Sequence, residues 1–403
     1  MNSNDISYFE KLNLLKAQMN LQFGQRIVNY NDCNGLSEEV FKKTGKLISS
    51  QTFRRFFKLI KSESMISQLT ADILCVYCGY LNLDHLVSKQ SDIGNSQTTQ
   101  YHEAQIYKTF FEGVVPKIAK GEVNHVYLDA LNRLLKRVFA DKLLYDTLIP
   151  LVSRSPTAHN YLFEQFPFID GFGRGFEQGY SLYIRNKPEL EAQVFGNAML
   201  FLSSVLQNDL TSAKVYHDII YSFNLESIKH PLVIARYMGT KILYHHLMGD
   251  MDEKQSWITL VKNKLIDNVN LHGFQYFNIE FELMISEYLI LTESFKLVID
   301  ILLPVYNNKK WITKDIDTSF WIMPIKIMLI RSFTYTNRLR EAKKLIPKVA
   351  KINWLVDDYF SIQLLDAKRK ISVNEAERIA IERDLKRLIS KTKFKYFEPF
   401  LKQ

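Results

Sequence analysis

LSEEVFKKTGKLISSQTFRRFFKLIK, residues 36–61, decides how this chain is read, together with SQLTADILCVYCGYLNLDHL, residues 67–86. Between Lys42 and Lys61 lie seven basic residues (Lys42, Lys43, Lys46, Arg54, Arg55, Lys58, Lys61) and no acidic one. The pattern predicts a helix, a tight turn, a second helix with one basic face, and a closing helix. Ser37 is the expected N-cap of the first helix, with Glu38 and Glu39 in its first turn. Val40 and Phe41 should pack inward, and Gly45 suits a left-handed helix end. Ile48 should plug the turn, and Ser49 or Ser50 should cap the second helix. In that helix Phe53, Phe56, Phe57 and Ile60 fall at helical spacing and should face a core. Gln51, Arg54, Arg55 and Lys58 gather on the other side.

That order is the layout of a helix-turn-helix reader of duplex DNA. The unbalanced positive charge suits a phosphate backbone, where neutralisation releases counterions. Ser50 and Gln51 sit in the first turn of the second helix, where base edges are met. Arginine grips guanine bidentately and glutamine does the same for adenine, so Ser50, Gln51, Arg54 and Arg55 are the expected base contacts. Lys42, Lys43, Lys58 and Lys61 are the expected phosphate contacts. The competing reading is a helical bundle whose basic face meets an acidic protein.

The segments KKTGKLISSQTFRRFF and SQLTADILCVYCGYLNLDHLV resemble the Cro/C1-type (XRE-like) helix-turn-helix family over about residues 24–87. Gly45, Ile48 and Thr52 match the turn and recognition helix; Leu74, Tyr77, Gly79, Tyr80, Leu83, Asp84 and Leu86 match the closing part. The sequence departs from the pattern in its first helix, which does not align plainly with the family's, and at two further places. Lys46 and Leu47 lengthen the turn between Gly45 and Ile48, and Phe57 stands where the family carries an acidic residue. The resemblance implies a small helical DNA-binding domain; a dimer on paired half-sites is expected because one such head offers only a small interface.

Outward from this stretch the chain is helical throughout. Its 403 residues exceed one ordinary core, and 47% apolar content suits a globular protein. Glycine (15) and proline (10) are scarce, and no proline precedes Pro116, as helix interiors require. No alternating series predicts strands, so the fold class is all-α. Ser88–Gln100 (SKQSDIGNSQTTQ) is polar and reads as a linker, and Asn29–Gly35 as a loop. The expected organisation is a DNA-binding domain over 1–87, a linker over 88–100 and a helical domain over 101–403. Predicted helices in the last cover roughly 102–119, 122–140, 142–152, 157–166, 175–185, 188–207, 210–223, 230–249, 253–268, 274–291, 293–306, 318–336, 338–350, 354–369 and 374–390. Met328–Val349 and Tyr237–Leu265 each resemble half of a tetratricopeptide unit, without the full consensus or a clean period, so an α-solenoid of stacked hairpins is expected, with an irregular helical domain as the alternative.

Other motifs are read more plainly. Cys75-x-x-Cys78 lies inside an apolar helix, so its thiols are expected to be buried small hydrophobes rather than metal ligands or a redox pair. Gly171-Phe-Gly-Arg-Gly-Phe-Glu-Gln-Gly179 reads as a helix start with close backbone packing; an anion at that start, assisted by Arg174, is the alternative. His245 and His246 are adjacent and should point apart. Ile371–Lys395 alternates charge like a solvated face. Phosphate-binding loops, nucleophile elbows, paired-histidine zinc motifs and kinase signatures are all absent from the sequence. The odd, small cysteine count (3) and the lack of a signal-like N-terminus or spanning segment predict a cytoplasmic protein away from the membrane. The net charge of +9 permits a nucleic-acid partner. The expectation is therefore a non-enzymatic, cofactor-free and metal-free transcriptional regulator. Double-stranded DNA, a second copy of the chain, and a peptide, small-molecule or protein effector at the helical domain are its expected partners. The alternative is a protein–protein scaffold in a signalling or defence assembly.

Overall fold

A computed structural model describes residues 7–61, 65–113, 125–165, 167–266, 280–308, 319–346 and 355–401. Among these the chain is all-α, without a strand. Contacts divide it into two compact units, Met1–Thr157 and Ala158–Gln403.

The first unit runs through α1 (Tyr8–Gln22), α2 (Tyr30–Thr44), α3 (Ser50–Phe56), α4 (Gln68–Tyr77), α5 (Leu83–Gly113), α6 (His125–Ala140) and α7 (Lys142–Val152). Ser7 and Glu10 close a reciprocal capping box on α1. The helices α1 to α4 and the start of α5 bury one apolar core, including Leu12, Leu15, Met19, Cys33, Leu36, Val40, Phe53, Leu74, Cys75 and Leu86. We refer to this bundle as the head.

Two expectations for the head are corrected. Asn29–Gly35 is not a loop: α2 begins at Tyr30, because Asn29 accepts from the Asp32 N–H while Asp32 caps in return. Burial of Cys33 and Leu36 offsets the poor helix propensity of the asparagines and glycine there. Ser88–Gln100 is not a linker either but the middle of the 31-residue α5. The boundary between compact units falls near Thr157 instead.

A short α8 (Pro156–Ala158) leads into a π-helical turn, His159–Gln165, and two 3-10 turns, Ile169–Gly171 and Phe176–Gln178. Then come α9 (Gly179–Asn186), α10 (Leu190–Leu206), α11 (Leu210–Tyr221), α12 (Pro231–Met248), α13 (Met251–Ile266), α14 (Glu280–Leu291), α15 (Phe295–Asn307), α16 (Ser319–Tyr335), α17 (Leu339–Leu345), α18 (Asp357–Ile371) and α19 (Glu375–Thr392). A 3-10 segment, Lys395–Leu401, follows. The predicted helices overlap these elements, although most of 157–166 is the π-helical turn rather than an α-helix; the stretches 114–119, 122–124, 166, 267–268, 274–279, 318, 347–350 and 354 of the predicted helices lie outside the described residues.

In the second unit α10, α12, α14, α16 and α18 pack each on the next, and each also packs on its own successor, α11, α13, α15, α17 or α19. Gly249, left-handed at φ 75°, ends α12 and lets α13 fold back, as the sequence pattern around Gly249–Asp250 predicts. Ion pairs are enclosed within the row. Arg236 of α12 donates to Glu287 of α14 at 2.7 Å, both fully enclosed. Arg331 of α16 donates to Asp366 of α18 at 3.2 Å, where the Tyr335 hydroxyl also donates at 2.8 Å. Gly239 lies so near Tyr288 that a β-carbon there would sit 2.3 Å from its ring.

The glycine cluster does form a helix start with close packing. A β-carbon on Gly171 would meet Phe168 and Phe176, and Gly173 and Gly175 adopt positive φ. Arg174 is engaged internally, donating to the Asp170 carbonyl at 2.9 Å and lying against the Phe168 and Phe176 rings.

Candidate nucleic-acid interface

The geometry begins at one hydroxyl. Ser37 is not an N-cap but a buried residue in the middle of α2, and its Oγ donates to the Ile48 carbonyl at 2.6 Å. That bond ties the turn to the helix before it, with Ile48 buried beneath. Gly45 ends α2 in the left-handed region at φ 68°. Ser49 caps α3, accepting from the Thr52 N–H at 3.2 Å. The turn from Gly45 to Ser49 is thus fixed at both ends.

Within α3, Phe53 and Phe56 are buried as predicted. The helix then stops. Lys58 turns left-handed at φ 58°, the Leu59 N–H donates to Arg54 and the Lys58 N–H to Arg55, so Phe57 and Ile60 lie beyond the helix and are only half-buried. Phe57 packs edge-on against Phe56. Phe41, expected inward, is 51% exposed; Val40 alone of that pair enters the core.

The sequence-predicted contact residues divide into two groups. Gln51, Arg55, Lys42, Lys43, Lys58 and Lys61 are exposed, and Ser50 is half-buried at the start of α3. Arg54 behaves differently. Its guanidinium lies over the Tyr30 ring of α2 at 4.6 Å, with Nε enclosed and unbonded. Its stem is therefore held against the bundle, and Arg55 is the freer of the two. Lys43 lies over Tyr77 at 5.2 Å, and Tyr77 in turn donates to Glu39 at 2.9 Å. Lys42 and Lys43 stand in the last turn of α2, where positive charge complements the helix dipole. Among the described residues no carboxylate forms an ion pair with any of the seven cations between Lys42 and Lys61.

Sequence reasoning missed Tyr30, which sits in a stretch read as a loop, and the exposed Lys46, which it counted but gave no contact. An aromatic residue directly after the asparagine of an Asn-x-x-Asp capping pattern, Asn29 to Asp32, is the signal that points to Tyr30. The Cys75 and Cys78 thiols are pushed up to about 12, first by burial, and so stay protonated. His245 faces Asp250 at 3.3 Å and His246 faces Lys254 at 3.2 Å, so the two rings do point apart. Among the described residues no helix is long and apolar enough to cross a membrane.

No protein-family model, curated protein or solved structure matches the chain.

Proposed function

We propose that the head is a helix-turn-helix DNA-binding domain and that the chain is a transcriptional regulator. The stacked helices of the second unit act as a tetratricopeptide-like sensor of a peptide, small-molecule or protein effector. One observation carries the reading: a seven-residue helix, braced by the Ser37–Ile48 bond, presents Gln51 and Arg55 outward among lysines that no described carboxylate pairs with. A short braced helix of that kind suits a major groove, with base-reading groups on one face and phosphate-binding charges around it. A single head offers a small interface, so a dimer on paired half-sites is part of the proposal.

The test is binding of mixed-sequence duplex by fluorescence anisotropy, followed by genome-wide footprinting of the tagged protein. Log affinity should fall with log salt by about 0.9 per phosphate engaged. Arg55→Glu should weaken binding by at least about tenfold, equal to roughly 1.4 kcal/mol. Retention of wild-type affinity in Arg54→Glu/Arg55→Glu would exclude α3 as the reading helix. A wild-type protein that ignores duplex altogether would leave the scaffold reading in its place.

A further inference from the structure

We propose that a second cationic feature of the head, a cleft between α1 and the segment following α3, binds a phosphate group. The cleft is about 330 Å³ in volume and is walled by Lys16, Arg26 and Lys58, with Asn13 and Asn20 beside them. These cations come from three separate places in the chain: mid-α1, the loop before α2, and the left-handed residue after α3. Among the described residues none of the three forms an ion pair with a carboxylate. No carboxylate lines the cleft.

The donor set is chemically one-sided. The Lys16 ammonium lies over the Phe56 ring at 5.1 Å and the Lys58 ammonium over the Phe9 ring at 5.2 Å. The Asn20 side-chain oxygen accepts from the Ile27 N–H at 3.0 Å, so its amide NH2 is the end left to serve a ligand. Burial, and then the Lys58 charge, hold the Lys16 ammonium below the usual lysine range. Like charges gathered in one cleft repel, and an anion with several acceptor oxygens reverses that cost. Two ammonium groups and a guanidinium suit a tetrahedral phosphate better than a single carboxylate.

On the DNA-binding reading above the occupant is a backbone phosphodiester beside the one met by α3. A free phosphate or nucleotide has the same chemistry, and two measurements on the full chain separate the sources. The variants are Arg26→Ala, at an exposed position, and Lys16→Met, which removes the ammonium but keeps an unbranched apolar side chain. Lys262→Ala, exposed on α13, is the control. In the first measurement, duplex binding is followed against salt. A backbone phosphate in the cleft predicts that Arg26→Ala/Lys16→Met lowers the salt slope by about one to two units, at similar cost for unrelated sequences, while the control matches wild type. In the second, the melting midpoint is followed in inorganic phosphate against chloride at constant ionic strength. A free phosphate ligand predicts a rise for wild type that the double variant loses. If wild type binds no duplex, the regulator reading fails while the phosphate arm still decides the cleft. The proposal is overturned if the double variant retains the wild-type salt slope and phosphate produces no midpoint shift that the variant abolishes.

Discussion

In the head several cations face water, whereas in the second unit some are sealed inside. Lys42, Lys43, Arg55 and Lys61 are exposed around an apolar core. Arg236, Arg331 and Lys241 are fully buried, the first two against carboxylates and the third within 3.3 Å of the Tyr221 ring centroid. Placement decides what a charge can do. An exposed, unpaired cation is available to an outside anion and is weakened by salt. A buried pair adds little net stability but penalises any arrangement that separates its members, and so fixes which helices meet.

The largest expected effect breaks a buried pair. Glu287→Ala leaves Arg236 charged and enclosed, and should cost about 3–5 kcal/mol in urea denaturation. A double variant, Arg236→Met/Glu287→Leu, should recover most of that loss. Equal losses in single and double variants would show that packing, not charge, binds α12 to α14.

A second test uses acid. Burial, only partly offset by the Asp218 hydrogen bond, pushes the His217 imidazole down to about 4. Its ring stacks on Tyr244 with centroids 3.7 Å apart. The native ring therefore binds fewer protons than the unfolded one between pH 6.5 and 4. Stability is present above 6.5 and declines as pH falls through that window, by up to about 3 kcal/mol. His217→Phe keeps the stack and should flatten the decline in a denaturation series over pH. An unchanged acid slope would assign it to other groups.

The smallest effect of the three belongs to the head. Ser37→Ala removes the hydroxyl that serves the buried Ile48 carbonyl and should cost about 1–3 kcal/mol by thermal unfolding. On the proposed DNA-binding reading, duplex affinity should fall further than this stability loss explains, because the turn before α3 loses its brace. Unchanged affinity would mean that Gly45 and Ser49 suffice to set the helix.

Much of the second unit is readable from the sequence because its helices carry local punctuation. Asp209 caps α11, Pro231 opens α12 and Gly249 closes it. Periodic apolar residues fill the intervals. The head is harder to read. Asn29 to Gly35 has turn-forming residues throughout, and only tertiary burial of Cys33 and Leu36 makes it helical. Ser88–Gln100 offers no apolar period, yet it continues a helix whose buried residues lie on both sides, Leu83, Leu86 and Val87 before it and Ala104 and Phe111 after it. The basic residues of α3 are visible as a run in the sequence. The cleft is not, because Lys16 and Arg26 meet Lys58 only after folding.

Gly239 has an influence out of proportion to its size. With only a hydrogen at its α-carbon, α12 lets the ring of Tyr288 approach its backbone closely. That same ring sits 5.5 Å from the Arg236 guanidinium, one residue from the carboxylate that neutralises it. A methyl group at 239 would act as a wedge, driving the phenol outward and levering the neighbouring charges out of register. The pitch between two successive rungs of the array is thus set by the smallest residue in the chain.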